Sequence, residues 1–511
     1  MEPLSRNPAS PIPVTVIPGD GVGPEVVRSA RRIIDAAGVA ISWEECPAGA
    51  EVFRRGDPSG VPAETRSSVE RTRVVLKGPL ETPVGFGEKS ANVTLRKLFE
   101  TYANVRPARE LPGVPTRYAG EGIDFIVVRE NLEDLYAGIE HMETPHVAQT
   151  LKLITRMGTR KIVRYAFDLA RQEGRRKVTC ATKANIMKLS DGLFKRVFEE
   201  IAPQYPEIES EHLIIDNVAH QMVKNPAQFD VIVTANLYGD IISDLASGLV
   251  GGLGFASSGN YGDDVAIFEA VHGSAPKYAG KDVINPTALI LSSVLMLRHL
   301  GLAEAADRVE NAVLVTLEEG RHATRDLLSQ AGGDVSTATS TTAYTDAIIA
   351  NLGRVPATVP PRVTARREQG AGETPVAVAV GPVAAGAAAG PTGGPAKDAA
   401  GAVVRTLVGV DIFIETALTA EELGRDVAPL AGDSFFLEMV DSRGTKLYPS
   451  TGLRAESVGW YRCRFVAQGS RVTDAEIRSL LGNIATRHNW THVEKLQLFD
   501  GQPGFTKAQG Q

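Results

Sequence analysis

The sequence predicts an α/β protein followed by a separate α+β domain, on three observations. From residue 11 to about 353, short β-branched runs alternate with stretches of helical periodicity. Residues 354–403 lose nearly all large side chains, in a tract such as TPVAVAVGPVAAGAAAGPTGGPAKDAAGA. From residue 404 onward, strand-like and helical segments return over about 100 residues, enough for a small independent domain.

The elements follow in order. Residues 14–17 read as a buried strand and residues 19–23 as a glycine loop. Pro24 then stands where helices accept proline, in the first turn. Val26, Val27, Ala30, Ile33, Ile34 and Ala37 recur at three and four spacing, and Gly38 is placed to stop the helix. Further short strands are predicted at residues 74–76, 125–128, 177–180, 212–215 and 231–233, several of them followed by polar or glycine-bearing loops. In open α/β sheets such loops carry the chemistry. The Ala/Gly/Pro tract has too little apolar mass to offset its ordering entropy, so residues 354–403 are expected to form a flexible linker. In the last part, GVDIFIET and YRCRFVAQ read as strands, Ser442-Arg443-Gly444 as a turn and AEIRSLLGNIATRH as a helix.

Composition narrows the function. At roughly 150 residues per domain, 511 residues make about three folding units. Lys plus Arg total 54 against 61 Asp plus Glu, a net charge of −7, which argues against a nucleic-acid or anionic-membrane partner. Cys46, Cys180 and Cys463 are too few and too scattered for a disulfide framework, so a reducing cytoplasm is expected. The N-terminus lacks a signal-peptide core, and the most apolar run, residues 288–297, is too short to span a bilayer.

Four groups of residues carry chemistry. Ser90, Asn92 and Arg96 supply two neutral hydrogen-bonding groups and a fork-shaped cation, a set that suits a carboxylate. Arg106 and Arg129 each follow an extended apolar run, which directs them to the same sheet edge and implies a substrate with several negative charges. Taken singly, each arginine is more often a surface or ion-pair residue, so the reading rests on their shared strand-end contexts. Asp240 and Asp244 stand at i and i+4 on one helix face, and Asp216 follows another strand. At an effective dielectric near 20, two such charges ~4 Å apart repel by about 4 kcal/mol, so a cation must intervene or one must hold a proton. Hard oxygen ligands suit Mg²⁺ or Mn²⁺. Two solvated helix acids would give the same spacing. Tyr136 and Lys183 form a third candidate pair, in which a lysine partly desolvated beside a metal can serve as a base, though for an isolated pair a packed tyrosine and a snorkelling lysine are the commoner arrangement. The loop His272-Gly273-Ser274-Ala275-Pro276-Lys277-Tyr278 is dense in backbone donors with a cation beside a phenol, suited to an adenosine phosphate. The earlier loop, Gly19-Asp20-Gly21-Val22-Gly23-Pro24, lacks the spacing of a Rossmann fingerprint.

Together, VIPGDGVGPE, KGPLETPVGFGEKSANVTLRKLF, ANVRP, VVRENLEDLYAGIEH, ATKANIMKLSDGLF, NLYGDIISDLASGLVGGLG and EAVHGSAPKYAGKDVINPTA resemble the metal-dependent β-decarboxylating dehydrogenases, and among them the isocitrate dehydrogenases. VGVDIFIET, YRCRF and HVEKLQLFDGQPGFTKAQ are similar to the extra C-terminal domain of a longer, Thermus-type bacterial subgroup. The resemblance implies an isocitrate/isopropylmalate dehydrogenase-like fold. Its large domain is discontinuous, here 11–101 and 251–353, with a small domain and clasp at 102–250, a linker at 354–403 and the extra α+β domain at 404–511. It implies a homodimer with shared active sites in which Ser90, Asn92, Arg96, Arg106 and Arg129 bind isocitrate. Asp240, with Asp244 and Asp216 from the neighbouring subunit, would hold Mg²⁺ or Mn²⁺. Lys183, also contributed across the dimer, would be the base and Tyr136 the acid. Lys277 and Tyr278 resemble the pair found with NADP rather than NAD, Asn285 would face the adenine, and Thr82, His272 and Gly273 would add cofactor contacts. The implied reaction is oxidative decarboxylation of isocitrate to 2-oxoglutarate in the tricarboxylic acid cycle. Rival readings are a dehydrogenase of homoisocitrate, isopropylmalate or tartrate, and a non-catalytic regulatory subunit. The tail is expected to stabilise the oligomer.

Overall fold

The computed structural model describes residues 11–81, 90–144, 146–363, 404–450, 452 and 456–510. Ten strands form one sheet: β1 (Ile12–Ile17), β2 (Ile41–Glu45), β3 (Val74–Lys77), β4 (Ala103–Arg109), β5 (Asp124–Glu130), β8 (Lys177–Thr182), β9 (Glu209–Ile214), β10 (Val231–Thr234), β11 (Ser257–Tyr261) and β12 (Ala266–Ala270). Their order across the sheet is β2-β1-β3-β12-β11-β4-β5-β10-β8-β9. β6 (Glu140–Thr144) and β7 (Val147–Thr150) pair apart as a hairpin.

Both flanks of the large sheet are parallel, as the alternating pattern predicts. Such strands are covered on two faces, which is why VVLK and VIVT are buried at every residue. The sheet centre departs from that pattern, because β11 runs antiparallel to both β12 and β4, and β4 antiparallel to β5. On one half, Val14, Val16, Leu76 and Phe268 pack with the Gly23–Ala36 and Thr287–His299 helices. Gly38, at φ +78°, follows the first helix in the left-handed conformation expected of its stop. On the other half, Val105, Val128, Val178 and Val231 pack with the Arg156–Gln172 and Ser190–Ile201 helices. Phe125, Val127 and Ile232 face the opposite side, against Ile242 and Ala246 of the Asn236–Leu249 helix.

Residues 354–363 run along the Ala303–Glu319 helix. The Glu318 carboxylate accepts from the Ala357 and Thr358 amides, and Asn311 brackets the Arg362 backbone. The rest of the Ala/Gly/Pro tract lies outside the described residues.

The C-terminal domain holds β13 (Arg405–Glu415), β14 (Phe435–Ser442), β15 (Thr445–Tyr448), β16 (Trp460–Ala467), β17 (Trp490–Phe499) and β18 (Gln502–Pro503), in the order β15-β14-β16-β13-β17-β18. With the Ala420–Val427 helix after β13 and the Asp474–Ala485 helix after β16, the chain traces a ferredoxin-like split βαβ pattern. Each helix opens on a capping box, Thr419 with Glu422 and Thr473 with Glu476. Val410, Ile412, Ile414, Cys463 and Phe465 face these helices. Asp411, Phe413, Arg462 and Arg464 alternate with them and point to the helix-free face, yet all are buried. There Arg464 pairs with Asp411, Arg462 with Asp441, and His141 of the β6–β7 hairpin reaches Asp411 at 3.2 Å. The Met142 amide donates to the Gly504 carbonyl at 2.6 Å, so the hairpin and the C-terminal domain share backbone hydrogen bonds as well.

Candidate active site

The antiparallel register sets Asn104 of β4 opposite Arg129 of β5, and Arg106 opposite Val127, so both arginines leave the same face. The Asn236–Leu249 helix crosses that face. Arg129 is 1% exposed, and its Nε and Nη2 donate to Asn236 Oδ1 at 3.0 and 2.8 Å while Nη1 pairs with Asp240. Arg106, 7% exposed, donates from Nε to Asn104 Oδ1 at 2.7 Å and from Nη1 to Ser243 Oγ at 2.7 Å. The same Nη1 lies 3.3 Å from Asp240 and 3.4 Å from Asp244. Gly239 permits this approach, because a Cβ there would stand 2.5 Å from Arg129 Cγ.

Tyr136 sits in the 3₁₀ turn Leu135–Ala137 and donates to Asp240 Oδ2 at 2.5 Å, its ring 5.0 Å from the Arg129 guanidinium. Asp134 anchors the turn by accepting from the Leu237 amide at the start of the Asn236–Leu249 helix. Burial first, and then the bond to Asp240, push the Tyr136 hydroxyl up from its ordinary pKa, so it keeps its proton at neutral pH. Burial alone would raise the Asp240 carboxyl, but the Arg129 and Arg106 charges hold it low. Burial and repulsion from Arg106 and Arg96 pull Arg129 down to about 10, so the three guanidiniums feel one another. Asp244 is pushed up by burial and by Asp240, against the pull of Arg106.

Arg96, on the Ala91–Leu98 helix, donates to Glu269 Oε1 at 2.9 Å, and Glu269 Oε2 pairs with Lys77 at 2.5 Å. Burial would raise the Glu269 carboxyl, but Lys77 and Arg96 hold it far below the usual range. Lys77, Asn92, Arg96, Arg106, Glu269 and His272 line a cleft with an empty volume of ≈ 390 Å³. Three buried polar atoms in its wall have no hydrogen-bond partner among the described residues: Asn92 Oδ1, Arg96 Nε and His272 Nε2. Buried polar atoms are normally paired, so a cleft with three orphans is built for a polar ligand. Ser90 stands at the N-cap of the Ala91–Leu98 helix, one turn before Thr94, whose amide it accepts through its carbonyl.

The cofactor candidates lie beside this cleft. His272 Nδ1 is 3.0 Å from the Gly273 carbonyl, and burial pushes its imidazole down, toward the neutral form. The Val22 amide donates to the Ser274 carbonyl, which joins the two glycine-rich loops. Lys277 Nζ lies 4.8 Å from the centre of the Tyr278 ring, the cation beside the phenol. Asn285 is buried, with its amide donating to Asp326 and its carbonyl accepting from Thr287. Thr82 lies outside the described residues.

Lys183 and Asp216 form a second group. Lys183 follows β8 and pairs through Nζ with Asp216 Oδ1 at 2.5 Å, while the Asp216 side chain is 68% exposed. Among the described residues, no ion pair joins this pair to Asp240 within one chain, and no group of three or more His, Cys, Asp or Glu side chains is placed to hold a metal ion. Sequence reasoning missed Lys77, Glu269, Asn104, Asn236 and Ser243. For Lys77 and Glu269 a signal existed: Glu269 is a charge inside a strand otherwise buried and apolar, and Lys77 closes another such strand.

Residues 13–348 match the isocitrate/isopropylmalate dehydrogenase family, and residues 405–511 match the bacterial isocitrate dehydrogenase C-terminal domain. The NADP-type isocitrate dehydrogenase of Thermus thermophilus is 58% identical over 98% of this chain and 96% of its own length. That of Rickettsia bellii is 38% identical over 98% of this chain and 99% of its own. A mitochondrial NAD-type catalytic subunit of Arabidopsis thaliana is 49% identical over 67% of this chain and 89% of its own, so it matches only part of this chain. Among solved structures, a Thermus thermophilus protein superposes with a TM-score of 0.68 at 57% identity, covering 98% of this chain and 96% of its own. The isocitrate dehydrogenase of Methylococcus capsulatus gives 0.63 at 45% identity, over 66% and 98%. The α/β architecture, the arginine-lined cleft and these likenesses agree: the chain belongs to the isocitrate/isopropylmalate dehydrogenase family, in its bacterial form with the added C-terminal domain.

Proposed function

We propose that this chain catalyses the NADP⁺-dependent oxidative decarboxylation of isocitrate to 2-oxoglutarate and CO₂. The observation that carries this reading is the cleft walled by Arg96 and Arg106, beside Arg129, with orphaned Asn92, Arg96 and His272 atoms. Guanidinium forks match carboxylates, and buried cations that repel one another are relieved by an anion. Ser90 and Asn92 would meet the carboxylate that isocitrate carries where isopropylmalate carries an isopropyl group. That polar pairing disfavours the isopropylmalate reading, and the filled arginine and aspartate positions disfavour a non-catalytic subunit.

The donor set suits a hard divalent cation. Asp240 and Asp244 present carboxylates on adjacent turns, and burial, with repulsion from Asp240 added to it, raises Asp244, a cost that a shared cation would relieve. Asp240 and Asp244, with Asp216 from a neighbouring copy, would hold Mg²⁺ or Mn²⁺. When bound, the ion supplies Lewis acidity at the substrate C2 oxygen, and NADP⁺ supplies the hydride acceptor. Lys183 Nζ, also from the neighbouring copy, would take the proton from the C2 hydroxyl. The arginines hold the carboxylates in place and hold the anion away from water. Tyr136 Oη, which keeps its proton at neutral pH, would return one to the carbon that loses CO₂. Lys277 and Tyr278 would face the 2′-phosphate, His272, Gly273, Asn285 and Thr82 the remainder of the coenzyme. A homodimer, the cytoplasm and the tricarboxylic acid cycle are the setting this reading implies.

Initial rates test it. With isocitrate and Mg²⁺, turnover is expected with NADP⁺ in preference to NAD⁺ and to cease when EDTA is added. Isopropylmalate is expected to be about 10⁴-fold poorer in kcat/KM, since a site built for hydrogen bonds rejects an analogue that lacks them. Activity that persists in EDTA, or equal use of isopropylmalate, rejects the reading.

A second expectation concerns Gly239. Gly239→Ala favours the helix by about 1 kcal/mol in propensity, yet its methyl would displace the buried Arg129 side chain. A shift of about 1 Å in such a group costs about 10²-fold in rate. Steady-state kinetics should therefore show kcat/KM for isocitrate falling by about that factor while the far-UV spectrum is unchanged.

A further inference from the structure

The C-terminal domain reaches the back of the Ala91–Leu98 helix, which carries Asn92 and Arg96 on its cleft side. Lys97, the residue after Arg96, is 4% exposed. Its ammonium donates to the Ala137 carbonyl at 3.4 Å and to the Arg443 carbonyl at 3.3 Å. Ala137 directly follows Tyr136 in the 3₁₀ turn, and Arg443 lies in the two-residue turn between β14 and β15. One buried group therefore ties together the substrate helix, the tyrosine turn and the C-terminal hairpin.

The hairpin is shaped for this approach. Arg443 and Gly444 adopt φ of +51° and +74°, the pair of positive values that tight hairpins use. A Cβ on Gly444 would overlap the Ala137 carbonyl oxygen, so the backbones touch directly. The Arg443 side chain then folds back, with Nη2 donating to both carboxylate oxygens of Glu100 at 3.0 Å and to the Glu456 carbonyl at 3.2 Å. Glu100 lies just beyond the C-terminal end of the substrate helix.

A second thread reaches the other end of that helix. Gln509 is fixed by its backbone, its amide donating to the Gly444 carbonyl and its carbonyl accepting from the Lys446 amide. Its side-chain Nε2 donates to Thr94 Oγ1 at 2.7 Å, and Thr94 Oγ1 donates to the Ser90 carbonyl at 3.1 Å. The path Gln509–Thr94–Ser90 ends on a residue assigned above to the substrate. An eight-residue helix is too short to hold its shape alone, so what packs behind it sets its place.

We propose that the C-terminal domain is a positioning element of the active site: the Arg443-Gly444 turn and Gln509 fix the helix bearing Ser90, Asn92 and Arg96 in register with Tyr136. The proposal rests on the reading of those residues as substrate groups. Lys97, Thr94, Arg443 and Gln509 lie on the back of the helix or behind it and are not among the residues that line the cleft.

The test uses full-length enzyme with four variants: Gln509→Ala, Thr94→Val, their double, and Thr94→Ser. Gln509→Ala and Thr94→Val are each expected to raise KM for isocitrate about five-fold, the weight of one buried hydrogen bond, with KM for NADP⁺ unchanged. Because both act on one path, the double variant should be no worse than the poorer single one. Thr94→Ser, which keeps the hydroxyl, should retain the wild-type KM. An unchanged KM in Gln509→Ala, including one accompanied by a lower thermal midpoint, overturns the proposal, as do additive effects in the double variant. Arg96→Ala is the control: if it leaves KM for isocitrate unchanged, the assignment of the helix to substrate fails instead.

Discussion

Lys183→Met is expected to lower kcat by about 10³-fold while KM for isocitrate stays within a factor of about two, the middle of the range for loss of a general base. Methionine keeps the length and apolar stem of lysine but cannot take a proton. The local structure should survive, because the Lys183 backbone amide is held by Asp191 Oδ2 at 2.6 Å whatever the side chain. Asp216, at the surface, loses an ion-pair partner that solvent can replace. A rapid-quench or absorbance assay of hydride transfer should show the defect in the first turnover. A variant with normal kcat would remove this lysine from the proton transfer.

Asp240→Asn is the second large effect. Asp240 is the acceptor shared by Arg129, Arg106 and Tyr136, and it is the carboxylate placed at the centre of the proposed cation site. Replacing it by an amide should raise the Mg²⁺ concentration for half-maximal rate by at least about 10²-fold, since loss of groups that only orient metal ligands already costs 10–100-fold. Titration of activity with Mg²⁺ reads this directly. The two variants also test the shared site. If Lys183 serves Asp240 of the other copy, a mixed dimer of the two inactive chains contains one intact site. Refolding them together in equal amounts should restore about a quarter of the wild-type rate by random assortment. No recovery in a mixture shown to form hybrids would place both residues in the same chain's site.

How much of this was legible in the sequence depends on what each feature needs. The parallel strands were readable because strands covered on two faces must be apolar throughout, and VTVI, VVLK and VIVT are nearly so. The antiparallel centre was not, since the pairing of β11 with β4 joins residues about 150 positions apart and leaves no local mark. Arg106 and Arg129 were found as cations at the ends of apolar runs, and the structure brings them to one acidic helix. Their supports, Asn104, Asn236 and Ser243, were invisible because a neutral polar side chain gives no sign of its partner. Lys77 and Glu269 left a sign, a charge within a buried strand, which only a paired charge can satisfy. The C-terminal domain was visible as a domain from its composition. Its contact with Lys97 was not, because a lysine beside an arginine on a short helix looks like an ordinary wetted pair.

The placement of β11 and β12 bears on how the polypeptide is made. These two strands fill the gap between β3 and β4, though they are synthesised some 150 residues after β4. Until they emerge from the ribosome, the nascent chain displays two unsatisfied edges, those of β3 and β4, flanking a seam that nothing else can close. At typical elongation rates of about 5–20 residues per second, that interval lasts on the order of ten seconds. During it the half-finished sheet is open to pairing with other chains, so a holding chaperone supplied in that interval is expected to raise the yield.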